Sequence, residues 1–227
     1  MELVAPSLWR LRGWIDDSLN VYYSDGVLID AATRWHGRYL RRQLKGHAVN
    51  LIALTHCHPD HQGAVWFLKR QFGVSLACHR DDVAAMEGRG PMEPPTFIVD
   101  RLGRLIAGLP CPVDRVLNDG DVIAGFRVIH APGHTPGHVI YFRDADRVAI
   151  VGDVLTNISF TKMRPGLRLP PNAFCSDPRE NIGSVEKLAA LKPSLVLFGH
   201  GPPLRKTEQL QWFIERLRKR LAKNDGG

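Results

Sequence analysis

Within "LTHCHPDHQGA", residues 54 to 64, three histidines and an aspartate fall in six positions, in a chain with only 10 histidines among 227 residues. Neutral imidazole and carboxylate are ligands for zinc and, less strongly, for iron and manganese. His56 and His58 lie two apart after an apolar run. Residues i and i+2 of an extended backbone point the same way, so both rings can converge on one ion. Asp60 and His61 open the next helical stretch and project from another direction, which suits a second ion. Other apolar runs also end on polar residues: Asp30 in "GVLID", His134 in "IHAPGHTPGH", Asp153 in "VAIVGD" and His200 in "LVLFGHG". The tips of several strands gather at one rim of their sheets, where loops on a rigid scaffold assemble sites.

The elements that must carry these residues follow from periodicity. "NVYYSDGVLID" predicts a hairpin about Ser24-Asp25-Gly26. "TRWHGRYLRRQLK" spaces Trp35, Tyr39, Leu40 and Leu44 as a helix. "VNLIALT" predicts a buried strand, and Asp60 to Phe72 a single helix stopped by Gly73. "VSLACH" is the next strand and "RDDVAAME" a short helix. Strands resume in "DRVL", "DVIAGFRVIHA" and "HVIYFRDADRVAIVGD". "RENIGSVEKLAAL" is a helix, "SLVLFGH" a strand, and "EQLQWFIERLRKRL" a closing amphipathic helix with Leu210, Phe213, Ile214, Leu217 and Leu221 on one stripe. Residues 88–112 and 157–178, rich in proline and glycine, break the rhythm. They are expected to be insertions, the first with a short helix, the second irregular. Single helices between β-rich blocks favour an α/β arrangement of two packed sheets with helices outside. A single domain over 1–227 is expected, since neither a repeat nor a linker divides the chain.

Composition is ordinary for a globular chain, 44% hydrophobic and 23% charged. No run is long and apolar enough for a membrane span, and the start does not read as a signal peptide. The 4 cysteines form no CxxC pair, so a reducing, cytoplasmic setting is expected. The net charge of +7 concentrates in helical stretches, Arg34 to Lys45 and Arg205 to Lys223, as solvated faces do. Neither nucleic acid nor a membrane is therefore expected as a partner. The helix bearing Trp212 offers a homodimer face, although packing on the domain accounts for its stripe equally well.

Taken in order, "THCHPDHQG", "PGHTPGH", Gly152-Asp153 and "GHG" at 199–201 resemble the ligand motifs of the metallo-β-lactamase superfamily over nearly the whole chain. The resemblance implies an αββα sandwich of four layers, two mixed β-sheets with helices outside and a metal site at the rim. It implies His56, His58 and His134 around one ion, Asp60, His61 and His200 around another, and Asp153 between them. Asp30 would orient a ligand histidine, and His138 would be a hydrogen-bonding neighbour. Asp153 stands where class B1 β-lactamases have cysteine, which argues against antibiotic hydrolysis. His58 stands where flavodiiron proteins have glutamate. Cys57, between two ligands, should point away from the metal.

Two divalent ions, zinc first and iron or manganese as the alternatives, would hold a hydroxide and polarise a carbonyl or phosphoryl oxygen. Asp60 could also orient that water or carry a proton. No GxSxG elbow, P-loop or dinucleotide fingerprint offers a different chemistry. "PGHTPGH" resembles the glyoxalase II-like branch, which implies hydrolysis of a thioester-like ester in a small molecule. The alternatives are a mononuclear iron sulfur (persulfide) dioxygenase, a lactonase, a phosphodiesterase or nuclease, and a non-catalytic metal-binding protein. The lack of a tyrosine near Thr156 counts against the lactonase. The full set of seven ligands counts against the non-catalytic protein. Glutathione-binding residues of glyoxalase II lie largely in a C-terminal helical extension, and this chain has one helix after His200. Lys162, Arg164 and Arg168 in the second insertion would suit an anionic substrate, or form a basic surface loop.

Overall fold

A computed structural model describes residues 1–159, 161, 162 and 164–224. Its larger sheet runs, in spatial order, β1 (Glu2–Ala5), β2 (Leu8–Arg12), β3 (Asn20–Ser24), β4 (Val27–Ile29), β5 (Leu51–Ala53), β6 (Ser75–His79) and β7 (Arg115–Leu117). Neighbours are antiparallel as far as β4 and parallel from β4 to β7. The parallel connections carry helices, as crossovers must: α1 (Gly37–Gln43), then α2 (Pro59–Gln62) and α3 (Val65–Phe72), then α4 (Val83–Met86) and α5 (Phe97–Ile106).

The second sheet contains β8 (Val122–Ile123), β9 (Phe126–His130), β10 (Val139–Arg143) and β11 (Val148–Ile150). β12 (Thr156–Ser159) and β13 (Arg164–Arg168) form a separate ribbon, and α6 (Pro178–Ala190) leads to β14 (Leu195–Leu197), which pairs in parallel with β11. α7 (Glu208–Asn224) closes the described chain. No helix among the described residues is long and apolar enough to cross a membrane.

Alternation along the strands sorts the core into layers. Tyr22, Val27, Ile29, Ala53 and Ala77 meet Phe126, Val128, Val139, Tyr141, Ile150 and Leu197 between the sheets. Their strand neighbours Val21, Leu28, Ile52 and Leu76 face Leu40, Val65 and Leu68 of the helices on one side. On the other side Ile140, Phe142, Ala149 and Val196 face Val185, Leu188, Leu210 and Ile214. The order is helix, sheet, sheet, helix. Of the α7 stripe, Leu210, Phe213 and Ile214 join this packing, while Trp212 is 64% exposed.

Three details differ from the sequence reading. The predicted helix over 60–72 is two helices, broken at Gly63 and Ala64. A Cβ on Gly63 would lie 2.4 Å from the Arg34 backbone nitrogen, so the chain bends where it must touch another segment. The stretch 157–178 is not irregular throughout, because it completes the β12–β13 hairpin. Its Pro165 and Gly166 conceal the strand signal. The N-terminal pair β1–β2 extends the large sheet although the sequence reading assigned no strand there.

Candidate metal centre

The polar residues at the strand tips do gather at one rim. Asp30 follows β4, His56 and His58 follow β5, His134 follows β9, Asp153 follows β11 and His200 follows β14. Their ligand atoms form three overlapping groups, each within 4.8 Å: His56, His58 and His134; His56, His61 and Asp153; Asp60, His61 and His200. Asp153 is central. Its Oδ2 lies 3.1 Å from His200 Nε2, 3.5 Å from His61 Nε2 and 3.7 Å from His134 Nε2. Asp60 Oδ2 is 3.2 Å from His200 Nε2.

The outer nitrogen of each ring decides which nitrogen faces inward. Thr55 Oγ1 donates to Asp30 Oδ2 at 2.8 Å, so it accepts from His56 Nδ1 at 3.0 Å. His61 Nδ1 donates to the same Asp30 oxygen at 2.9 Å. His58 Nε2 donates to the Glu93 carbonyl at 2.7 Å, and His200 Nδ1 to the Ser18 carbonyl. His134 Nδ1 faces Cys175 Sγ at 3.6 Å. The nitrogens that face the site are Nε2 of His56, His61, His134 and His200, and Nδ1 of His58. Nε2 of His56, His61 and His134 and Oδ1 of Asp153 are buried with no hydrogen-bond partner. Buried polar atoms are rarely left so. A cluster of them built from imidazole and carboxylate could hold a divalent cation.

Electrostatics divides the cluster. Burial, reinforced by neighbouring imidazoles, holds His56 and His134 well below the usual histidine range. Burial thus favours the neutral ring, the form in which imidazole binds a metal. Burial opposes a charge on His61 too, but Asp153 and Asp30 outweigh it and raise that group. His200 is pushed up to about 10 against its burial by Asp153 and Asp60. The Asp60–Asp153 end therefore carries a potential that favours cations.

Backbone and buried groups hold this arrangement. His138 Nε2 accepts from the Asp153 backbone N–H at 3.0 Å, and its ring stacks on His56 at 4.8 Å. Gly199 leaves room for the cluster: a Cβ there would lie 2.5 Å from Asp153 Oδ1 and from His61 Cε1, so those side chains would have to shift. Two tyrosines cross between the sheets. Tyr141 donates to the Leu54 carbonyl and Tyr22 to the Phe198 carbonyl, both at 2.7 Å, each two residues before a histidine of the cluster. Asp82, 3% exposed, joins the two histidine loops. It accepts from Cys57 N at 2.8 Å and Thr135 Oγ1 at 3.0 Å through Oδ2, and from Gly137 N at 2.9 Å through Oδ1. Burial pushes its carboxyl up to about 6, with those three donors opposing. Cys57 turns away from the cluster and packs its sulfur on that of Met86.

Asp82, Cys175 and the carbonyls of Ser18 and Glu93 went unseen in the sequence. The carbonyls leave no signal in residue type, and Asp82 meets partners 25 to 55 positions away. His79 and His130 stack at 4.1 Å beside Asp81, and these three could also converge on an ion. Yet the His130 Nε2 that faces Asp81 already bonds the Pro136 carbonyl at 2.8 Å, so this pair braces the loop.

The cluster floors a cleft of about 320 Å³. His58, Asp60, His134, Asp153 and His200 line its base, with Pro59 and Thr156 beside them. Both predicted insertions wall it, the first through Val99 and Ile106 of α5, the second through Pro170, Pro171 and Phe174. Thr96 ties the walls together, donating to the Ala173 carbonyl while capping α5. Lys162, Arg164 and Arg168 are exposed and do not line the cleft; they lie on the β12–β13 ribbon instead.

Residues 22–200 match the family model described as the Metallo-beta-lactamase superfamily. The chain is 30% identical over 198 residues to the probable metallo-hydrolase YflN of Bacillus subtilis, covering 80% of this chain and 72% of that one. It is 34% identical over 112 residues to the hydroxyacylglutathione hydrolase GloC of Haemophilus influenzae, covering 47% of this chain and half of that protein. Among solved structures it resembles TTHA1623 in a di-iron-bound form, with a TM-score of 0.63 and 29% identity over 87% of this chain and 94% of that one.

Proposed function

This chain belongs to the metallo-β-lactamase superfamily and is a metallo-hydrolase of it, and we propose that it hydrolyses an ester-type bond, thioesters foremost, in a small molecule with the help of two divalent ions. One observation carries this reading. Five buried histidines each engage a partner through one nitrogen and leave the other in a cluster of candidate ligand atoms that includes Asp60 and Asp153. His56, His58 and His134 would hold one ion, Asp60, His61 and His200 the other, with Asp153 between them. The completeness of the second group weighs against a single-iron dioxygenase. The di-iron-bound relative supports iron beside zinc as the metal.

When bound, such ions make water acidic near neutral pH and polarise the oxygen of an attacked carbonyl. The protein's own groups do the rest. Asp30 and Thr55 fix the rings of His61 and His56, and His138 fixes the backbone of Asp153. Asp60, the one half-buried member of the set, faces the cleft and orients the attacking water. It takes that water's proton on a carboxylate oxygen and passes it to the leaving group. The water oxygen joins the acyl carbon, the carbon–sulfur bond breaks, and a thiol and a carboxylic acid leave. The apolar walls exclude competing solvent.

Protein loaded with zinc or iron should turn over members of a thioester, oxoester, lactone and phosphodiester panel, thioesters fastest. His58→Ala and Asp153→Ala should abolish turnover. Full activity in either variant would sink the assignment.

A further inference from the structure

Resting on the hydrolase reading, we propose that the group entering the cleft is an uncharged, apolar acyl chain of medium length, not a hydroxylated or anionic one. Apart from the metal-centre residues and Thr156, the described wall is made of Pro59, Val99, Ile106, Pro170, Pro171 and Phe174. None of these offers a side-chain hydrogen bond or a charge. A substrate carboxylate or hydroxyl held against them would lose its water with nothing in return. Arg101 on α5 and Lys162, Arg164 and Arg168 on the ribbon are exposed and lie off the described wall. At about 30 Å³ per small group, the volume admits roughly ten heavy atoms. That is enough for a thioester carbonyl at the metal centre and an acyl chain of roughly six to eight carbons.

Apolar burial should be read in the kinetics. Each methylene transferred from water to the wall raises kcat/KM by about fourfold until the cleft is full. The test uses metal-loaded enzyme and acetyl, butyryl, hexanoyl and octanoyl thioesters of one neutral thiol, N-acetylcysteamine. S-lactoylglutathione serves as the hydroxylated, anionic comparison. The expected result is a climb to hexanoyl or octanoyl, with lactoylglutathione below butyryl. Ile106→Ser and Phe174→Ala should each lower the octanoyl-to-acetyl ratio at least fivefold, and Ile106→Leu should restore it. Using a ratio removes any general loss of metal or fold. A flat or falling series, with acetyl turned over, overturns this inference and leaves the hydrolase reading standing. If nothing is turned over, the hydrolase reading falls, and the pocket is judged by calorimetry of octanoate against acetate. Octanoate binding at least tenfold tighter then supports the apolar pocket, and equal binding overturns it.

Discussion

Removing Asp82 tests how the two histidine loops are held together. Its carboxylate accepts from a backbone N–H between His56 and His58, from the hydroxyl next to His134, and from the N–H next to His138. Among the described residues no cationic side chain pairs with it. Asp82→Ala strands two backbone donors and a hydroxyl in a buried site, each costing about 1–3 kcal/mol. Partial collapse of the loops and entry of water would recover some of this, so the net loss should be about 3–5 kcal/mol. Asp82→Asn keeps the shape but turns an amide toward one of the donors, and should lose about half as much. The assay is urea unfolding of the metal-free protein, followed by far-ultraviolet circular dichroism and tryptophan fluorescence. Competition with a chromophoric chelator supplies the second readout. Metal affinity should fall about 10- to 100-fold in Asp82→Ala, as for groups that position ligands without touching the ion. A variant within 0.5 kcal/mol of wild type that holds metal equally well would refute the clamp.

Three further outcomes follow from particular contacts. Gly199→Ala should weaken metal binding at least tenfold while the protein stays folded, because its methyl would enter the space of Asp153 and His61; titration with zinc checks this. Tyr141→Phe should lower stability by about 1–2 kcal/mol by stranding the Leu54 carbonyl, seen as a fall of roughly 2–8 °C in Tm for a chain of this size. Chelation should also lower Tm. With metal at about a thousand times its Kd the bound form gains about 4 kcal/mol, and readdition should restore it.

Much of this architecture could be read from short apolar runs. "VLI", "LIA" and "LVL" are buried on both faces, and a residue with that burden in a segment this short is a strand inside a sandwich. The polar residue after each run then had only one rim to occupy, which is why the histidine and aspartate positions were legible. What stayed hidden depends on contacts between distant segments. The break at Gly63 answers to the backbone at Thr33 and Arg34. The β12–β13 ribbon is short and carries Pro165 and Gly166, so no alternation marks it. The basic residues of that ribbon suggested an anion site because they follow Asp153 closely in sequence. The fold turns them to the surface and brings Pro170, Pro171 and Phe174 to the cleft in their place. Asp82 sits in "RDDVAAME" like any helix-capping acid. Only the packing of β6 beside the histidine loops distinguishes it from Asp81, which is exposed.

The central claim is that seven side chains form a two-ion centre. The most direct test is elemental mass spectrometry of protein purified without added metal, then reconstituted, beside Asp153→Ala and His58→Ala. The account predicts about two ions per chain in wild type, a loss from both ends of the site in Asp153→Ala, and retention near Asp60, His61 and His200 alone in His58→Ala. Wild-type protein that takes up no metal after reconstitution, or an Asp153→Ala variant that keeps both ions, would contradict it.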